Sequence, residues 1–282
     1  MNPSAPNTWL VTGASGGLGE ALVNAIVERG DRVAATFRSA EAAAAFEHTA
    51  GANGVGIVLD VRQAERIPDT IAQAASRLGH IDVLINNAGH GQFGAIEDVA
   101  DQRIRELFET NFFGLLNVTR AVLPYMRDHG GGRIANISST AGFQAVASAG
   151  IYSATKFAVE GMSEALAGEV KPFGISVTIV EPGAFRTRFA TTSMDLEGDI
   201  SPPYQPMLGP ILHYLTKIYP GTEMGDPIKG ARAIVAALTS AEPPLRLVLG
   251  EDALAAVRAK IEQVKADLAA WETLTLSTGF DK

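Results

Sequence analysis

Short apolar runs alternate along the chain with longer segments whose apolar residues recur at helical spacing. The runs Thr8–Gly13, Arg32–Phe37, Gly54–Asp60, Ile81–Asn87, Arg133–Ser138, Ile175–Glu181 and Leu245–Gly250 are predicted as strands. Helices are predicted at Leu18–Arg29, Ala40–Glu47, Gln63–Leu78, Asp101–Arg127, Tyr152–Lys171 and Pro227–Ser240, with a final one at about 251–272. Strict alternation without a linker or repeat predicts an α/β fold over residues 1–282, a doubly wound parallel seven-stranded sheet with helices on both faces.

One stretch breaks the alternation. Residues 188–226, rich in Pro, Gly, Met and aromatics, are expected to form a lid or binding loop rather than a core element. Within it, Thr191–Met224 is expected to move freely without ligand and to order over the site when substrate binds.

Composition narrows the function. The chain is 46% hydrophobic and carries a net charge of −8, which argues against a nucleic-acid partner because such partners need a basic face. It has no cysteine, so disulfides, zinc thiolates and thiol nucleophiles are excluded. The five histidines show no ligand spacing, so no metal site is expected. No apolar stretch approaches a membrane span and the N-terminus lacks a secretion-signal pattern, so a cytoplasmic protein without a membrane partner is expected.

After the first strand comes TGASGGLGEAL, Thr12 to Leu22. Gly13, Gly17 and Gly19, with Ser15, Gly16 and Leu18 between them, form a tight turn into a helix. Such a turn lets the backbone approach a pyrophosphate while the helix N–H groups hold the anion. In NAD sites an acid about 20 residues further on accepts from the ribose 2′-hydroxyl. Here Phe37 and Arg38 stand at that place, and the nearest carboxylates, Asp31 and Glu41, lie outside the strand end. A guanidinium suits a 2′-phosphate, so NADP(H) is favoured over NAD(H), with Ser15 and Ser39 as further hydroxyl donors.

TGASGGLG at Thr12–Gly19, NNAG at Asn86–Gly89, Asn111 in ETNFFG, NISS at Asn136–Ser139, YSATK at Tyr152–Lys156 and PGAFRT at Pro182–Thr187 occur in order. With them the sequence resembles the short-chain dehydrogenase/reductase superfamily in its short, single-domain branch. The resemblance implies a Rossmann fold and an oxidoreductase that interconverts a ketone or aldehyde and its alcohol. It implies that Asp60 and Val61 contact the adenine end, and that Asn87, Ala88 and Gly89 line the floor of the cofactor cleft. Thr187, after Pro182, Gly183 and Phe185, would contact the nicotinamide carboxamide. The implied catalytic set is Asn111, Ser139, Tyr152 and Lys156, with Asn111 holding a water that connects Lys156 to solvent. Ser139 rather than Ser138 is the serine concerned. A homodimer or homotetramer through Asp101–Arg127 and Tyr152–Lys171 is also implied, with Phe108, Phe112, Phe113, Val159 and Met162 contributing.

Tyr152 and Lys156 stand one helical turn apart. A tyrosine titrates near ~10, and bringing it to about 7 takes roughly 4 kcal/mol. A unit charge at about 4.5 Å in an effective dielectric near 20 supplies about that, so Lys156 is expected to lower Tyr152. Ser139 would polarise the substrate oxygen. Phe93, Phe143, Gln144, Val146, Phe185 and Tyr204, in loops beyond the carboxyl ends of strands, are pocket candidates for an apolar substrate, and His90 and His213 border candidates. Trp271 is expected to anchor the last helix by packing. The alternatives are a nucleotide-sensing protein without catalysis and a dehydratase or epimerase with tightly held cofactor.

Overall fold

The computed structural model describes residues 6–187, 189, 193–196 and 200–280. Seven parallel strands form one sheet in the order β3-β2-β1-β4-β6-β7-β9. These are β1 (Thr8–Val11), β2 (Arg32–Phe37), β3 (Gly54–Val58), β4 (Val83–Asn86), β6 (Gly132–Ile137), β7 (Ile175–Pro182) and β9 (Arg246–Leu249). Most of their residues are buried, as expected of strands covered on both faces.

One face carries α1 (Gly17–Glu28), α2 (Ala40–Ala50) and α8 (Pro227–Thr239). There Leu22, Val23 and Ile26 pack with Ile234, Val235 and Leu238 over Trp9, Val33 and Ile85. The other face carries α3 (Ile67–Leu78), α5 (Leu115–Asp128) and α6 (Gly150–Val170), where Ile71, Val118, Val122, Met126 and Leu166 cover Leu10, Leu84 and Ile134. The strand order reverses between β1 and β4, so a crevice opens beyond their carboxyl ends.

The observed elements depart from the sequence expectations in places. The helix expected over Asp101–Arg127 is broken: α4 (Asp101–Phe108) passes through a π-helical turn, Glu109–Gly114, into α5. Gly114, at the end of this turn, lies so close to Val61 that a Cβ would stand 2.8 Å from its Cγ2, so only glycine fits there. A short strand, β5 (Gly91–Phe93), pairs in parallel with β8 (Met194–Leu196) in a separate two-stranded ribbon. The insertion contains ordered elements: Gln205–His213 is a helix, α7, running into a π turn at Tyr214–Ile218. Arg188, Ala190, Thr191, Thr192 and Glu197–Asp199, which belong to that insertion, lie outside the described residues.

The last helix, α9 (Glu251–Leu276), is longer than expected, and Trp271 on it is 63% exposed. Trp271 therefore anchors nothing on this chain. Among the described residues no helix is long and apolar enough to cross a membrane.

One polar knot lies under the sheet edge. Arg246 of β9 bonds Glu160 of α6, Glu181 of β7 at 2.5 Å and Glu164 of α6 at 2.6 Å. Glu181 is fully buried and Glu160 nearly so, which makes Arg246 the counter-charge that lets both carboxylates stay inside. Arg246→Met is expected to lower stability by about 3–5 kcal/mol in urea unfolding, because two buried acids lose their partner. Adding Glu181→Gln should recover part of the loss; no recovery would mean that packing, not charge, is what Arg246 supplies.

Candidate active site

The crevice at the strand-order reversal is a cleft of about 1060 Å³. The glycine turn forms one wall. Gly13 and Gly17 have φ of +70° and +58°, which side-chain-bearing residues rarely adopt. A Cβ on Gly19 would stand 2.3 Å from the Gly13 carbonyl oxygen, so the turn closes only with glycine there. Its shape is held from beneath: Asn87 Nδ2 donates to the carbonyls of Thr12 (3.0 Å) and Gly13 (2.9 Å). The Thr12 hydroxyl in turn accepts from the amides of Asn87 and Ala88. Asn87 thus lines the cleft while its amide shapes the loop beside it.

The far end of the cleft is lined by Phe37, Arg38, Leu59, Asp60, Val61 and Arg62. Arg38 is exposed at the mouth, directly after β2. Asp31 stands at the opposite end of that strand, buried and accepting from Trp9 Nε1 (3.0 Å) and the Asn7 amide, so it is out of reach of a ribose in the cleft. Asp60 is forked by Arg62 (2.6 Å to Nη2), which holds its carboxyl below the usual range, with Arg38 adding to the effect. Ser39 caps α2 by accepting from the Ala42 amide (3.2 Å). The Phe37 ring packs on Phe46, centroids 5.4 Å apart.

The near end holds the expected tetrad. Tyr152 and Lys156 are buried on α6, and Lys156 Nζ donates to the Ile137 carbonyl (2.9 Å) and sits 5.8 Å from the Tyr152 ring centre. Burial lowers Lys156 to about 8, opposed by the negative charge of Glu160 one turn further along. Burial pushes Tyr152 up to about 12, opposed by its hydrogen bond with Ser139. Burial therefore works against the lowering of Tyr152 expected from Lys156. At neutral pH the phenol is a proton donor.

Asn111 occupies the π turn, whose extra residue turns its side chain inward. Its Oδ1 accepts from the His90 amide (3.0 Å), and its Nδ2 donates to the His90 carbonyl (2.8 Å) and the Thr155 hydroxyl (3.1 Å). Asn111 therefore ties the NNAG loop to α6. Gly89 lies between it and Lys156: a Cβ there would be 3.1 Å from Asn111 Oδ1 and 3.6 Å from Lys156 Nζ.

Pro182, Gly183, Phe185 and Thr187 also line the cleft. The Thr187 side chain faces the start of α1, 3.1 Å from where a Gly17 Cβ would stand. The Phe185 ring packs onto Gly225 and Gly230. Gln144, Val146, Phe93 and His90 reach the cleft; Phe143, Tyr204 and His213 do not. Phe143 instead lies under the Arg246 guanidinium, 5.5 Å from the ring centre. Tyr204 donates to Glu97 (2.6 Å) on the surface.

Several lining residues escaped the sequence reading. Phe189 lies tilted against Tyr152 (centroids 5.9 Å apart), and Phe93 stacks on it (6.0 Å), so two rings border the phenol. Met194, Tyr214, Leu215 and Tyr219 enter from the insertion, where no motif marks them. Asp252 on α9 accepts from the Ala184 amide (2.7 Å), pinning the loop after β7. Asn86 and Asn136 form a buried amide pair (2.9 Å) that continues to Ser163 on α6, locking the helix that carries the tyrosine to the sheet.

The cradle fits a dinucleotide: close backbone approach at the glycines, a helix N-terminus for pyrophosphate, and polar groups at both ends of one continuous cleft. Residues 7–197 match the family model described as short chain dehydrogenase. A crystal structure of a short-chain dehydrogenase from Streptomyces avermitilis superposes with a TM-score of 0.90 at 42% identity, over 98% of this chain and 100% of that one. Oxidoreductase BOA17 of Botryotinia fuckeliana is 35% identical over 271 residues, 96% of this chain and 98% of the relative. Human retinol dehydrogenase 8 is 35% identical over 86% of this chain and 81% of its own. The chain belongs to the short-chain dehydrogenase/reductase family and is an NAD(P)-dependent oxidoreductase acting on CH–OH or C=O groups.

Proposed function

We propose that the protein reduces the carbonyl group of an apolar small molecule with NADPH, in the cytoplasm, with Tyr152 as general acid. What carries the reading is a buried, protonated phenol at the cofactor cleft, hydrogen-bonded by Ser139 and bordered by Phe93 and Phe189. When bound, the reduced nicotinamide supplies hydride to the carbonyl carbon. Tyr152 gives its proton to the oxygen as that hydride arrives, so the alcohol leaves neutral. The Ser139 hydroxyl orients the oxygen, and the Lys156 cation stabilises the phenolate left behind. The two rings and the apolar residues of the insertion keep water from the reacting carbon, which favours substrates with an apolar body. That relatives include a retinol dehydrogenase is consistent with such a substrate.

Arg38 is assigned to the 2′-phosphate of NADPH, because no carboxylate stands at the β2 end to accept from a free ribose hydroxyl. We also propose assembly through α5, the π turn before it and α6, where Tyr125, Phe113 and Phe157 are exposed; Val159 is buried within the chain and takes no part.

A panel of apolar ketones and aldehydes with each cofactor tests the reading, and preference for NADH or turnover confined to small polar carbonyls would reject it. Tyr152→Phe is expected to lower kcat by at least about a hundredfold with little change in NADPH affinity, since it removes the proton and little surface. Retention of a tenth of the rate would remove Tyr152 from the acid role. Arg38→Asp should weaken NADPH about ten- to a hundredfold by losing a charge-assisted bond of roughly 1.5–3 kcal/mol, and improve NADH.

The pH profile follows from Lys156. Its value of about 8 means that the cation is present below that pH and lost above it, so kcat/KM for reduction should fall on the alkaline side. Glu160 favours the charged lysine, so Glu160→Gln should move this limb to lower pH. A limb that stays in place would show that Glu160 serves packing alone.

A further inference from the structure

Beyond its first turns, α9 leaves the body of the protein. Ala253 and Val257 are buried against the domain, and every residue from Ile261 to Phe280 is exposed. A helix standing alone in water is expected to be polar all round. This one is not. Leu254, Val257, Ile261, Val264, Leu268 and Trp271 succeed one another at alternating steps of three and four residues. A mean step of 3.5 residues keeps such a stripe straight along a partner helix, which is the seam of a coiled coil. The stripe that fastens α9 to the domain therefore continues, uncovered, along about 28 Å of free helix from Arg258 to Leu276. Leu268 on it is 65% exposed. A contiguous apolar surface of that kind marks a contact site.

We propose that α9 is a dimerisation arm whose Ile261–Trp271 seam packs antiparallel on the same seam of a second copy of this chain. The charges beside the seam select both the occupant and the direction. Arg258, Lys260 and Lys265 outnumber Glu262 in the near half, Lys265 being bonded to Glu262 at 2.8 Å, while the far half carries Asp267 and Glu272. Parallel pairing sets each flanking residue beside the one five positions on in the partner. That would place Lys260 beside Lys265 and Asp267 beside Glu272, two repulsive pairs in each direction. Antiparallel pairing instead sets like flanking positions against each other, so Arg258 meets Glu272 of the other copy at both ends, two attractive pairs against one Lys265–Lys265 and one Asp267–Asp267 contact at the centre. The helix as a whole has more acids than bases, and it lacks the Lys/Arg-rich polar face that holds an amphipathic helix on an anionic membrane. The paired Arg258 and Glu272 ends fit another copy of the same helix.

The arm is distinct from the α5–α6 surface, and the absence of native cysteine lets introduced thiols report on it alone. Arg258→Cys and Glu272→Cys proteins, mixed and mildly oxidised, are expected to give the mixed disulfide-linked dimer, with little cross-linking of either protein by itself. Ile261→Glu with Leu268→Glu should abolish that cross-link and halve the particle mass by light scattering, while NADPH affinity stays as in the wild type and shows the domain folded. No mixed cross-link together with an unchanged mass in the double variant would overturn the proposal. So would cross-linking of Arg258→Cys only with itself, which reports a parallel pair. Sedimentation of the wild type, but not the double variant, with phosphatidylcholine–phosphatidylglycerol vesicles and without the mixed cross-link would assign the seam to a membrane and equally overturn it.

Discussion

A lysine held inside the protein beneath a phenol is the constraint around which the polar interior is built. Lys156 loses its water on burial, and what replaces that water is the Ile137 carbonyl on one side and the field of Glu160 on the other. Glu160 is itself buried, and burial pushes it above the usual carboxylate range, against hydrogen bonding from Ser138 and the charge of Arg246. Arg246 must in turn satisfy Glu181 inside the sheet. The buried cation is thus one member of a chain of alternating charges running from the cleft to the sheet edge. Each member is tolerable in a low-dielectric interior only because of the next.

That chain also explains why the site needs a rigid helix. An electrostatic effect at 5–6 Å changes steeply with position, so α6 must not slide. Asn136 to Ser163, Asn111 to Thr155 and Arg246 to Glu160 fasten α6 to the sheet, to the NNAG loop and to β9. Each bond is to a different element, so rotation about any one is blocked by the others. Tyr152 sits at the start of this clamped segment, beside Phe93 and Phe189, and its phenol stays neutral because the same burial that fixes it removes the water a phenolate needs.

The sequence by itself determined the seven strands, because alternating apolar runs and helical stripes are local patterns that parallel α/β packing requires. It also determined the glycine turn and the spacing of Tyr152 and Lys156, since tight backbone approach and a single helical turn are set by neighbouring residues. Tertiary structure decided what depends on residues far apart in the chain. The π turn at Glu109–Gly114 ends on a glycine packed against Val61, and nothing in the local pattern announces that contact. Phe143 reads as a pocket residue until Arg246 is found over its ring, whereas Phe189 and Tyr219 enter the cleft from an insertion without periodicity. The surroundings of Tyr152 also depend on the fold, because spacing gives a charge and a distance but not the desolvation that opposes them. The exposure of α9 reverses the same lesson: the apolar stripe is legible in sequence, but whether the domain covers it is a property of the fold.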